Sequence, residues 1–365
     1  MEKDLLYKIA LTMIPKVGPM LAKQLISFCG SPEAVFKEQM SGLMKIPQIG
    51  RMTAETIVKQ EVLSAAEFEL KFMEQEGIRA HYFKDESYPF RLKQCVDSPI
   101  LLFQRGDCQL NGRKVISIVG TRSSTDYGED WLKEFVKELA KHQVIIVSGL
   151  AYGIDITAHK AALENNIPTI AVLGHGLDRI YPAKHTDVAR DMLQNGALLS
   201  EFFSGSKPAK ENFPRRNRIV AGMCDALIVA EAKRRGGALI TADLANQYNR
   251  DVFALAGNYY QSSSEGCNQL IKSNKAHLIE SIADLEYIMQ WDTEPEQQAT
   301  HQNELFIQLS KDEEELLGHL QIKAQPIDLL AVKTKMPISK LIQTLLQLEL
   351  KNLVKNLPGN QYKRL

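Results

Sequence analysis

The chain contains no apolar run approaching the ~20 residues that a membrane-crossing helix requires. Its opening Met1-Glu2-Lys3-Asp4 brings in acid early, and no apolar segment with a small-residue cleavage site follows. A cytosolic protein without a membrane partner is therefore expected. Charge of one sign is not in excess either: 44 Lys and Arg stand against 44 Asp and Glu. That excludes a polybasic protein, and any nucleic-acid surface must arise from local segregation of charge. The five cysteines (Cys29, Cys95, Cys108, Cys224, Cys267) are scattered and odd in number. This argues against a zinc knuckle, a CxxC redox pair or a disulfide framework, and for a reduced compartment. Nucleotide fingerprints are missing as well. Without G-x-x-x-x-G-K-[S/T] there is no P-loop and no argument for ATP hydrolysis, and without G-x-G-x-x-G after the first strand a dinucleotide has no pyrophosphate turn. The eight histidines show no H-E-x-x-H or comparable metal spacing, and His159, His175 and His185 read as structural or rim residues. No cofactor and no metal are expected.

What the chain does have is 44% apolar and 24% charged residues, the mix of a globular protein that buries a large core. At 365 residues, two or three domains are expected. The first 80 residues carry an internal repeat: Ile14-Pro15-Lys16-Val17-Gly18 recurs as Ile46-Pro47-Gln48-Ile49-Gly50, with Ala22 matched by Ala54 and Leu25-Ile26 by Ile57-Val58. Each unit reads as a helix, a tight turn at the glycine and a second helix, which resembles a helix-hairpin-helix pair. Such hairpins grip DNA phosphates through backbone N–H groups, but Met20 and Met52 stand where a second glycine would allow close approach. A structural or protein-contact role is preferred. From Lys114 to Trp291 apolar runs of strand length, Val115–Val119, Val144–Val147, Thr169–Leu173, Ala197–Leu199, Leu227–Ala230, Val252–Leu255 and His277–Ile279, mostly alternate with amphipathic helical stretches. Continuous rather than alternating apolar strands indicate a parallel sheet covered on both faces, and repeated βα units predict an α/β, doubly wound Rossmann-like domain. Polar residues 292–306 read as a linker. Three helical stretches and a strand–turn–strand over 307–365 then form the winged-helix pattern, whose third helix, Ile338–Leu350, has many leucines and no arginine. Protein contact or packing is preferred for it over reading of duplex DNA. The expected division is a helical domain over 1–80, a Rossmann-like domain over 81–291, the linker, and the winged helix.

In an open parallel sheet, ligands bind beyond the carboxyl ends of the strands. The loops there are Gly120-Thr121-Arg122-Ser123-Ser124, Ser148-Gly149-Leu150-Ala151-Tyr152-Gly153-Ile154-Asp155, and Gly174-His175-Gly176-Leu177-Asp178 with Tyr181-Pro182 beyond. Glycines admit close backbone approach, helix N-termini attract anions, and Arg122 can clamp a phosphate through two N–H groups, so a phosphate-lined rim is expected. Asp155 is placed to stabilise a helix start. Between Lys207 and Arg235 eight basic residues oppose three acids, inside a chain of zero net charge. Phe213 lies among them, beside Lys210 and Arg215-Arg216-Asn217-Arg218, which open an apolar helical run. Basic groups around an aromatic platform hold single-stranded nucleic acid without sequence preference.

These motifs, taken in order with Asn212-Phe213-Pro214-Arg215-Arg216-Asn217-Arg218-Ile219-Val220-Ala221-Gly222 and Gly236-Gly237-Ala238-Leu239-Ile240-Thr241-Ala242, resemble the DNA-processing protein A family (DprA, also called Smf). The resemblance implies a protein without turnover that binds incoming single-stranded DNA during natural transformation, protects it, and loads RecA on it past single-strand-binding protein. It also implies a homodimer formed through the Rossmann-like domain. Carried over by position, Arg122 matches the phosphate-gripping arginine, while Lys210 and Phe213 match the lysine and stacking aromatic before the Arg-Asn-Arg run. The implied DNA-binding set is Gly120, Thr121, Arg122, Ser123, Ser148, Gly149, Lys184, Lys210, Phe213, Arg215, Arg216, Asn217, Arg218, Gly236 and Gly237. Two places depart from the family pattern: Lys272–Ala276 lacks the common Gly-Ala, and Arg234-Arg235-Gly236-Gly237 stands where Ser-Gly-Ser is usual, adding charge beside a helix start. The alternative reading is a Rossmann-like nucleotide phosphoribohydrolase, which would need paired acids near the ribose; the obvious acids are Asp155, Asp178 and Glu201. Because the third winged-helix segment carries so little charge, removal of everything after Trp291 should leave single-strand affinity largely intact. A loss as large as that caused by Arg122→Ala, read by anisotropy titration, would place the small module in the binding surface.

Overall fold

The computed structural model describes residues 2–291, 309–320, 325–351, 353–357 and 361–364. The expected linker and the turn at Pro358-Gly359-Asn360 lie outside the described residues. Residues Met1–Asp292 form one compact unit and Thr293–Leu365 a second.

The first unit opens with helices α1 (Glu2–Met13), α2 (Pro19–Cys29), α3 (Pro32–Lys37), α4 (Met40–Leu43), α5 (Arg51–Lys59) and α6 (Leu63–Gln75). Both copies of the repeat adopt the same turn: Val17 N–H donates to Ile14 O and Ile49 N–H to Ile46 O, each at 3.1 Å. The left-handed residue is not the glycine anticipated from the sequence. Lys16 and Gln48 each hold φ +65°, while Gly18 and Gly50 sit extended ahead of α2 and α5. The isoleucines and valine of both turns (Ile14, Val17, Ile46, Ile49) are buried, so the repeat is preserved by its apolar anchors. Met20 and Met52 point outward, 61% and 72% exposed.

Next come β1 (Arg79–Tyr82), α7 (Phe90–Lys93), β2 (Leu101–Arg105), β3 (Lys114–Val119), α8 (Asp126–Leu139), β4 (Val144–Ser148), α9 (Ile154–Glu164), β5 (Thr169–Leu173), α10 (Thr186–Asn195) and β6 (Ala197–Ser200). Then follow α11 (Asn212–Met223), β7 (Ala226–Val229), α12 (Gly237–Gln247), β8 (Asp251–Leu255), α13 (Glu265–Lys272), β9 (His277–Ile279) and α14 (Ile282–Met289). Among the described residues nine strands make one sheet in the order β1-β2-β6-β5-β4-β3-β7-β8-β9. The seven anticipated strands, β3 to β9, are mutually parallel. Two more had no counterpart in the sequence reading: β1 pairs with β2, and β2 with β6, both antiparallel. Only the four-residue α7 lies between them, and they pair antiparallel, so they lack the βα rhythm of the other strands.

The parallel strands are apolar on both sides because both faces are covered. Val115, Val119 and Val147 pack beneath α11, α12 and α13, with Ile219, Ala242 and Leu270. Alternate residues Ile116, Ile118 and Ile146 pack against α8, α9 and α14, with Phe135, Ala158 and Leu285. The N-terminal helices share a third cluster with β1, β2, β6 and α10, in which Ile9, Leu25 and Ile57 join Phe103, Leu198 and Met192. The chain therefore starts the parallel part of its sheet at β3, runs outward to β6, and returns to lay down β7 to β9 on the other side, which makes the β3/β7 boundary a switch point.

The second unit contains α15 (Lys311–His319), β10 (Gln325–Pro326), α16 (Ile327–Thr334), α17 (Ile338–Leu350), β11 (Val354–Leu357) and β12 (Gln361–Arg364). Ser310 and Glu313 form a reciprocal cap that starts α15. Leu316, Leu330, Leu341, Leu345 and Val354 build the small core. The three helices and the hairpin follow the expected pattern, with the two-residue strand β10 added against β12. On α17 the outward positions are Ile338, Ile342 and Leu346, and Lys340 is held by Asp312 at 2.7 Å.

Candidate nucleic-acid interface

The loops after β3, β4 and β5 converge with the start of α11 around one cleft that opens to solvent. Arg122, Tyr152, Gly174, His175, Tyr181, Phe213 and Arg216 are among its walls. Arg122 is exposed and lays its guanidinium over the half-buried Phe213 ring, 5.5 Å from the centroid. Tyr181 flanks the same ring at 6.2 Å. Gly174 brings its backbone close to the ring: a side chain there would meet Phe213 at 3.2 Å.

Phe213 and Arg216 stand three apart on α11 and so share a helix face. The helix begins at Asn212, three residues before the Arg215-Arg216-Asn217-Arg218 run that was expected to open it, so these residues lie within its first turns. About 100° of rotation per residue sends consecutive side chains around the helix, so Arg215, Arg216, Asn217 and Arg218 take different directions. Arg216 goes into the protein and donates to the Val172 carbonyl. Arg218 turns away from the cleft, to the Asp97 carbonyl and the Glu201 carboxylate. Arg215 stays outside over the Phe202 ring at 5.3 Å, in a second cleft shared with Gly18 and Pro19 of the first hairpin turn. Asn217 sits near Gly237 at the start of α12.

Beneath the cleft, Asp155 and Arg216 approach each other across Gly149, whose missing side chain leaves room for both. Asp155 accepts from Ala151 N–H at 3.3 Å in the first turn of α9, as its position suggested. Burial pushes its carboxyl up, and the Arg216 guanidinium pulls it back. His159 is wholly buried, bonded to the Gly149 carbonyl at 2.6 Å and the Thr169 hydroxyl at 2.7 Å, and burial pushes its pKa down to about 4. His185 bonds to the Leu150 carbonyl at 2.9 Å. His175 Nδ1–H donates to the Gly176 carbonyl at 2.9 Å, and burial lowers its pKa. Among the described residues no group of three or more His, Cys, Asp or Glu is placed to hold a metal ion.

The other expected residues sort by location. Thr121 and Ser123 lie on the Arg122 loop, and Gly120 admits Ile154 where a side chain would clash. Ser148 is buried and donates to the Ile118 carbonyl, so it supports the loop from below. Lys210 and Lys184 are exposed, the first one turn before Phe213 and the second just past Tyr181-Pro182. Gly236 and Gly237 are exposed at the start of α12. Tyr152, His175 and Tyr181 line the cleft but were absent from the expected binding set; the signal for them was their place inside the glycine-rich loops.

The fold is of the α/β class: a Rossmann-like sheet whose strand ends carry an arginine-capped aromatic cleft, with a winged helix as the second unit. The model for DNA recombination-mediator protein A matches residues 79–290, and that for the DprA winged helix domain matches residues 297–360. Protein Smf of Escherichia coli K12 is 38% identical over 75% of this chain and 74% of its own length. Protein Smf of Synechocystis is 33% identical over 98% of both. The X-ray structure of DNA processing protein A from Streptococcus pneumoniae superposes with a TM-score of 0.68 at 32% identity, covering 77% of this chain and 97% of that one. A structure of the Helicobacter pylori protein, described for its single-stranded DNA binding mode, gives 0.53 at 31% identity over 59% and 96%. The chain belongs to the DNA-processing protein A (DprA/Smf) family.

Gly153 sets the Arg122 loop in place. It has φ +73°, and a side chain there would strike the backbone of Thr121 and Arg122. Gly153→Ala should cost about 1–3 kcal/mol of stability through backbone strain, with steric displacement of the loop in addition. Urea unfolding checks the first effect. A variant as stable as the unaltered protein would show that the loop relaxes freely.

Proposed function

We propose that the cleft holds single-stranded DNA, with Phe213 stacking on a base and Arg122 and Lys210 neutralising the adjoining phosphates. The observation that carries this reading is the Arg122 guanidinium poised over the Phe213 ring at the open mouth of the cleft. Aromatic faces accept any base, and cations track the backbone, which together give sequence-tolerant affinity for a single strand. The single-stranded DNA binding mode described for the H. pylori relative supports it. Family membership extends the proposal to a mediator that protects the strand and passes it to RecA in the presence of single-strand-binding protein, working as a homodimer through the Rossmann-like domain.

The rival hydrolase reading is disfavoured by what surrounds its acids. Asp155 is buried opposite Arg216, Asp178 accepts from Arg179 at 2.9 Å, and Glu201 is held by Arg218. Burial holds the Glu201 carboxyl above its ordinary range, against the pull of Arg218. Three acids committed to separate partners do not make the acid pair that glycosidic cleavage uses. Release of free base from nucleoside monophosphates at a catalytic rate would reverse this judgement.

Affinity for oligo-dT should exceed that for a duplex of equal length. It should also fall with ionic strength, with a log–log slope of about 0.7 per phosphate contact. Arg122→Ala should reduce that slope; a slope already flat in the unaltered protein counts against a phosphate-gripping rim. Phe213→Ala should weaken binding by about 1–3 kcal/mol per lost base contact while the salt slope stays the same. A core phenylalanine would instead cost roughly 3–5 kcal/mol of stability on truncation, so a large fall in melting temperature with unchanged affinity would remove Phe213 from the site.

A further inference from the structure

The rim does not stop at Arg122. The loop after β3 is joined to the loop after β7 by Thr121 N–H donating to the Glu231 carbonyl at 2.8 Å. The loop after β7 is joined in turn to the segment after β8, through Ala232 N–H to the Ser263 carbonyl at 2.8 Å and Gly266 N–H to the Ala232 carbonyl at 2.7 Å. A side chain at Gly266 would meet the Lys233 carbonyl at 2.6 Å, so the contact is close along its length. Neighbouring strands lie about 4.8 Å apart, which puts the β8 end about 10 Å along the edge from β3.

This continuation carries its own charge and its own aromatic surface. Lys233, Arg234 and Arg235 are consecutive and exposed, and their side chains make no ion pair or hydrogen bond among the described residues. They line an open depression with Ser262 and Glu265. Glu265 is the one acid there, so positive charge remains in excess. The loop that supplies Ser262 also presents Tyr259 and Tyr260, which are 71% and 80% exposed with ring centroids 3.9 Å apart. Large exposed aromatics next to unpaired cations do not serve the core. They are the two components of a surface that holds unpaired bases and their phosphates.

We propose that Lys233, Arg234 and Arg235 together with Tyr259 and Tyr260 form a second single-strand subsite. It lengthens the DNA path from the Arg122–Phe213 cleft across the ends of β7 and β8. The inference rests on the cleft being a single-strand site, and adds that a longer strand is held along the edge at a place where this chain carries Arg234-Arg235 beside a helix start. The extra charge and the paired rings favour a nucleic acid over an acidic protein segment, which would have no use for stacking faces.

The test compares oligo-dT of about 5 nucleotides, enough for one cleft, with oligo-dT of about 20, against Arg234→Ala/Arg235→Ala and Tyr259→Ala/Tyr260→Ala. Affinity for the short strand should be unchanged in both variants. For the long strand the arginine variant should show a salt slope shallower by about 1.4, the equivalent of two phosphate contacts. The tyrosine variant should lose roughly five- to a hundredfold in affinity with its slope unaltered. Arg234→Lys/Arg235→Lys should restore the slope, because phosphates are neutralised by either cation. Long-strand affinity and slope within twofold of the unaltered protein in both variants would overturn the subsite and leave the patch to an acidic protein partner. Equal losses for short and long strands would overturn it too, since the effect would then be transmitted to the first cleft. If the unaltered protein fails to bind either strand, the parent reading falls and this one with it. Binding that depends on Arg122 but ignores Arg234 and Arg235 removes the extension alone.

Discussion

A guanidinium taken into the sheet edge orders everything around the cleft. Arg216 leaves α11, reaches the Val172 carbonyl at the end of β5, and faces Asp155 at the start of α9 across the bare backbone of Gly149. Desolvating an arginine costs several kcal/mol, so such a group persists only where polar partners meet it. Here three separate segments must converge to supply them. Once they do, the helix is locked in rotation, and the residue one turn earlier, Phe213, can stand only at the cleft mouth. The side chain that reads from sequence as a ligand contact is thus first a positioning element for the ring beside it.

The same economy governs the glycines. Gly149 leaves room for the buried Asp155 and Arg216 side chains, Gly153 lets α9 start against the Arg122 loop, and Gly174 approaches the Phe213 ring. Each brings one segment within contact distance of another, so the glycine-rich loops act less as a cradle of bare amides than as joints that fit three strand ends together. Cations are left outside this joinery wherever no acid was provided. Arg122, Lys184, Lys210 and Lys233 to Arg235 remain exposed while Arg216 and Arg218 are buried. A chain of zero net charge acquires a basic edge by this sorting, not by composition.

The N-terminal repeat illustrates a different division. Both hairpin turns share hydrogen bonds and a left-handed third residue, yet only their apolar anchors are equivalent in environment. The first turn borders the cleft that contains Arg215 and Phe202, and Lys23 of the helix that follows it donates to the Ser98 hydroxyl at 2.7 Å. It therefore forms part of the seam between the helices and the sheet.

By itself the sequence determined the parallel sheet, the positions of its seven strands, the winged-helix order and the identity of the loops that carry the site. These are local matters: runs of Val, Ile and Leu bounded by helical periodicity, and glycines directly after strands, are written in neighbouring residues. The resemblance to the DNA-processing protein A family was equally legible, because its motifs lie in those loops. Tertiary structure alone decided which arginine faces solvent and which is buried, since that depends on the start of α11 and on carbonyls and carboxylates 17 to 121 residues away. It alone paired β1 and β2 with β6, a registration between distant segments that no short-range pattern encodes. And it alone joined the loops after β3, β7 and β8 into one edge, because the hydrogen bonds that do so run between strands adjacent in the sheet and remote in the chain.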